Sequence, residues 1–143
     1  MSESTIQASA GLILRLYELR RDPEMRMARQ WFARDFRPES AQQILELLLS
    51  GERASANYRM VTSYWDMVAA MVLRGAIDAD LFRDTNGEYL GFFSILEPFL
   101  EDFRAITKET DYLKSWETLV RSTPGSAERL ASRRMLFAAW TGK

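Results

Sequence analysis

The run Tyr64-Trp65-Asp66-Met67-Val68-Ala69-Ala70-Met71-Val72-Leu73 is almost wholly apolar and carries one carboxylate near its start. A helix built from it has no face to give to water, so it must lie inside a bundle. An acid taken into a bundle needs a partner or must lose its charge. The run therefore asks for a helical core, and it makes Asp66 the first residue whose surroundings matter.

The rest of the chain reads as helices separated by short breaks. Ser4-Thr5-Ile6-Gln7 has the spacing of a capping box, and Ile6, Ile13, Leu16, Tyr17 and Leu19 recur at helical intervals, predicting a first helix to Arg21. Asp22-Pro23-Glu24 supplies an N-cap, an N1 proline and a first-turn acid for a second helix that carries Met27, Ala28, Trp31 and Phe32 to Phe36. Arg37-Pro38-Glu39 restarts the chain before a third helix with Ala41, Ile44, Leu45 and Leu48 on one stripe, ended by Gly51. The central helix should cover 54–74 and close at Gly75. Asp78 caps a short helical turn, and Asn86-Gly87 marks a turn before a second apolar helix, which Pro98 should kink or split. A weaker helix over Tyr112 to Val120 precedes the break at Ser122-Thr123-Pro124-Gly125-Ser126 and a last helix ending at Trp140.

No segment alternates like a strand, so the expected fold is all-α. It is an irregular bundle of six or seven helices forming a single domain over 1–143, with the C-terminal helix 126–140 semi-independent beyond the break. A chain of 143 residues with 47% hydrophobic side chains is long enough for a proper core. It has no cysteine and no histidine. Thiolate chemistry, disulfides, Cys/His zinc sites and imidazole triads are thereby excluded. No cofactor, metal site or catalytic set is expected. With 19 basic and 20 acidic residues the formal net charge is −1, which gives no global electrostatic case for nucleic acid or an anionic membrane. The longest apolar runs fall short of the roughly 20 residues a membrane helix needs, so no membrane span is expected. The polar start Met1-Ser2-Glu3-Ser4 lacks the features of a signal peptide, which points to the cytoplasm.

Three groups of residues invite a functional reading. Asp66 lies four residues after Thr62 and seven after Arg59, on one stripe of an apolar helix. Arg59 could neutralise it from the same helix and Arg104 from the next. Asp66 with Arg104 then forms either the polar floor of a small pocket lined by Tyr64 and Trp65, or an ion pair that fixes helix register. The acids Asp78, Asp80, Asp84 and Glu88 crowd a loop with Asn86 and Gly87, but their spacing does not fit a calcium loop, and capping explains them. Arg129, Arg133 and Arg134 sit beside Leu136, Phe137 and Trp140 on the last helix, which suits either a solvated helix face or a weak surface for a partner, membrane or RNA.

The pattern from Tyr64 to Arg104 opens on aromatic-aromatic-acid, continues through Arg74-Gly75-Ala76-Ile77-Asp78-Ala79-Asp80-Leu81 and closes in Leu96-Glu97-Pro98-Phe99-Leu100-Glu101-Asp102-Phe103-Arg104. It resembles an uncharacterised bacterial family of helical domains of unknown function, whose members often carry an N-terminal membrane helix. The resemblance implies a helical fold and weight on Asp66, Gly75, Asp78 and Arg104; it implies no reaction. The expectation from the sequence is a non-enzymatic helical interaction or regulatory module in the bacterial cytoplasm, with an unknown protein partner or as a homodimer through an exposed aromatic face. The alternatives are a small-molecule-binding or hydrolytic protein with its pocket near Asp66, and weak nucleic-acid binding through the C-terminal arginines.

Overall fold

The computed structural model describes residues 3–140 and contains, among them, eight helices and no strand. They are α1 (Glu3–Arg20), α2 (Pro23–Arg34), α3 (Ala41–Leu49), α4 (Arg53–Leu73), α5 (Ala79–Thr85), α6 (Glu88–Thr107), α7 (Lys114–Ser122) and α8 (Ser126–Trp140). The count exceeds six or seven because the turn after Asp78 is a helix in its own right. Asp78 starts it by accepting the Leu81 N–H at 2.9 Å.

Local chemistry sets most of the boundaries. Asp22 accepts the Met25 N–H at 3.2 Å and Pro23 fills the first helical position, so α2 begins where the sequence placed it. Ser40 caps α3 through the Gln43 N–H at 3.1 Å, two residues later than Pro38 suggested. The capping box at Ser4 does not hold, since α1 is already helical at Glu3. Gly75, at φ +83°, ends α4 in the left-handed conformation that a Cβ would resist.

Two helices form the core. On α4, Tyr58, Val61, Trp65, Val68 and Ala69 are almost fully buried. The helix is not enclosed on all sides: Met67 and Leu73 are nearly half exposed, and Asp66 lies at the boundary. On α6, Tyr89, Leu90, Phe92, Phe93 and Leu96 are buried. Helices α2, α3 and α7 pack against α4.

Pro98 neither splits nor ends α6, which runs unbroken through it. A proline leaves the carbonyl four residues earlier without its helical donor. That carbonyl belongs to Ser94, and it accepts the Nε–H of Arg134, reaching over from α8, at 3.2 Å. A neighbouring helix therefore fills the gap in the ladder. The seat of α8 is completed at Gly91, where a Cβ would stand 2.7 Å from the Phe137 ring.

Candidate functional site

Asp66 does not pair with either arginine. Its Oδ1 accepts the backbone N–H of Trp116 at 3.0 Å, the third residue of α7. The first N–H groups of a helix have no partner inside it. Leu113, the residue at the cap position, offers no side-chain acceptor, so a carboxylate from α4 supplies one, with favourable charge for that end of the helix. Arg59 is exposed and its side chain pairs with no described residue.

Arg104 is buried and bonds elsewhere. Its Nε and Nη2 donate to the Tyr112 carbonyl at 3.0 and 2.7 Å, and Nη1 meets Glu117 at 3.0 Å and Glu101 at 3.2 Å. Burial pushes the Glu117 carboxyl up, but the bonds and charges of Arg104 and Lys114 outweigh it and leave the group below its ordinary value. Between these two grips lies Leu113, a left-handed leucine at φ +54° whose side chain is buried. Such a conformation costs on the order of 1–3 kcal/mol and persists where its surroundings enforce it. Arg104 fixes the carbonyl just before it and Asp66 fixes the amide three residues after it, so the two residues do meet in one structure, the entry to α7, without touching as a pair.

Tyr64 and Trp65 face the other side of α4. The Tyr64 hydroxyl donates to the Leu16 carbonyl at 3.0 Å, and burial pushes its pKa up to about 12. Trp65 is 1% exposed, with Arg20 over its ring at 5.6 Å and its Nε1 without a partner among the described residues. Neither residue lines the clefts that open around α8.

The C-terminal arginines do not act as one patch. Arg129 points to solvent. Arg134 is spent on the Ser94 carbonyl and on Glu97 at 2.7 Å. Arg133 lies over Gly87, where a Cβ would stand 2.9 Å from its Nη2, and joins Arg26, Arg29 and Arg34 of α2 around one cleft. Those three were missed in the sequence, although a signal was present: positions 26, 29, 30, 33 and 34 follow the i, i+3, i+4, i+7, i+8 rhythm of one helix face. The stripe Met25, Ala28 and Phe32 is buried, and so is Ala33, while Arg26, Gln30 and Arg34 are exposed and Arg29 is half-buried.

Helix α8 itself is thinly seated. Leu130 is its only buried residue among those described, while Met135, Leu136 and Trp140 are 74%, 61% and 56% exposed. Clefts of about 380 Å³ and 510 Å³ flank it on its two sides. Among the described residues no helix is long and apolar enough to cross a membrane.

A family model described as Domain of unknown function (DUF4760) matches residues 5–123, which spans α1 to α7 and stops short of α8. No curated protein and no solved structure matches the chain.

Proposed function

The chain belongs to the family of that domain of unknown function, and from this premise we propose that it is a non-enzymatic helical interaction or regulatory module, acting in the bacterial cytoplasm, whose working surface is α8. The observation that carries the reading is the apolar outer face of α8. Three large side chains, Met135, Leu136 and Trp140, stand in water on a helix that buries one residue. Scattered exposed apolar residues are ordinary, but a contiguous set on one helix is the usual mark of a protein contact. Its place beyond the family match, after the break at Thr123 to Gly125, suits a semi-independent arm carried on a common scaffold.

A second copy of the same face is the partner to examine first, because two such helices would cover each other's Leu136 and Trp140. Light scattering on the purified chain should show a dimer that Leu136→Glu converts to monomer without loss of helical circular dichroism. A protein that is monomeric throughout, and whose cross-linked complexes are indifferent to Leu136→Glu, would sink the reading.

A further inference from the structure

The larger cleft beside α8, about 510 Å³, is walled by α2, the start of α6 and α8. It presents Arg26, Arg29, Arg34 and Arg133 against one carboxylate, Glu88, a surplus of three positive charges (4 − 1) in a chain whose total is −1. Glu88 is already shared. It takes Arg29 through Nε at 2.9 Å and Nη2 at 2.6 Å, and Arg20 at 3.3 Å. The side chains of Arg26 and Arg133 make no hydrogen bond or ion pair with any described residue, and Arg34 has only the Trp140 ring, at 5.5 Å. Arg20 and Arg21 line a hollow that shares Arg26 and Arg29 with the cleft, so the positive field extends past its mouth.

Like charges gathered in one cleft repel one another, and a multiply charged anion would remove that repulsion. Guanidinium forks match phosphate oxygens in pairs. One wall is aromatic, made of Phe92, Phe137 and Trp140, the last more than half exposed. Aromatic faces of this kind stack planar rings.

We propose that this cleft binds a nucleoside di- or triphosphate, with the phosphates held by Arg26 and Arg133 beside the fixed charge of Arg29, and the base laid against Trp140. Glu88 does not oppose the ligand, because two arginines already neutralise it. The arginines of the site lie outside the outer face of α8, which shares Trp140 with it.

Calorimetry on the full chain tests it, with ADP and inorganic pyrophosphate as probes at low salt. ADP should bind, more tightly than pyrophosphate, and weaken as salt is added. Arg26→Ala and Arg133→Ala should each weaken ADP by about tenfold, the size of one lost charge-assisted hydrogen bond, while Arg59→Ala outside the cleft changes nothing. Arg26 is exposed and without a partner among the described residues, so its variant folds whatever Arg133→Ala does to the seat of α8. Trp140→Ala should bring ADP down to the level of pyrophosphate. Absence of binding by either probe at about 1 mM, or binding indifferent to Arg26 and Arg133, overturns the site. Equal affinity for the two probes overturns the assignment of a base to the aromatic wall. A short RNA that binds through the same arginines much more tightly than ADP overturns the nucleotide in favour of nucleic acid.

Discussion

The entry to α7 and the cleft beside α8 are both built from arginines and carboxylates, and they differ in whether the charges are used. At the α7 entry every strong group has a partner: Asp66 on the Trp116 amide, Arg104 on Tyr112 and Glu117, and Glu117 also on Lys114. In the cleft, Arg26 and Arg133 have none among the described residues. A polar network closed on itself rigidifies a fold, whereas charges left open to water are cheap to hold and ready for a ligand. The difference teaches that the acid in the apolar run is spent on a helix entry, and that the cationic groups left without partners among the described residues stand on surface helices.

The comparison breaks most easily at Arg104. Truncating a buried, paired arginine leaves the Tyr112 carbonyl without its donor and Glu117 with only the more exposed Lys114 and Arg121, so Arg104→Ala should cost about 3 kcal/mol in urea unfolding. Arg26→Ala, at an exposed site with no partner among the described residues, should stay within about 0.5 kcal/mol of the parent. Similar costs at the two positions would mean that the closed and open networks are not different in kind.

Asp66 gives the next largest effect. As the acceptor for a helix N-terminus it resembles an N-cap, and Asp66→Ala should cost about 1–2 kcal/mol. Asp66→Asn keeps an acceptor and loses only the charge at that end, which limits its cost to roughly 0.3–1 kcal/mol. A much larger loss for Asn would revive a direct cation partner for Asp66. Both are measured by chemical denaturation, and hydrogen exchange at the Trp116 amide should report the loss locally in the Ala variant.

Glu117 sharpens the same contrast through pH. Its folded pKa is depressed, so its contribution to stability is fully present above its ordinary value, near 4.5, and is lost as pH falls through the lower folded value. The stability gap between the parent and Glu117→Gln should therefore be constant from neutral pH to about 5 and close below 4.5. Arg26→Ala, with no carboxylate partner, should show no such closing. A gap that is flat to pH 3 would remove Glu117 from the closed network.

How much of this was written in the sequence differs between the two regions for a physical reason. The helices were legible because periodic apolar stripes and caps such as Asp22 and Asp78 act locally. The similarity from Tyr64 to Arg104 fell within a family match that runs over residues 5–123. The partner of Asp66 was not legible, because it is a backbone N–H fifty positions away, and every residue except proline carries one. The same holds for Arg104, whose shortest bond goes to the carbonyl of Tyr112. The α2 stripe was legible in principle and was overshadowed by Arg133 and Arg134, which look alike in sequence. They are neighbours on a helix and so point about 100° apart. One reaches the cleft and the other reaches Ser94.

The smallest effect tests that division within α8. Arg134 lends its Nε–H to the carbonyl that Pro98 leaves open, so its value should depend on the proline. Arg134→Ala alone should cost about 1 kcal/mol, the net worth of one such bond with a half-exposed ion pair to Glu97 adding little. In a Pro98→Ala background residue 98 regains its own N–H, which can return to Ser94 within α6. The cost of Arg134→Ala should then fall by about 0.5 kcal/mol, a coupling that a double-mutant cycle resolves only with replicate denaturation curves. Arg133→Ala paired with Pro98→Ala should show none. Coupling of Pro98 to both arginines would mean that α8 responds as one rigid seat, and Arg133 could no longer be counted among the charges held open for a ligand.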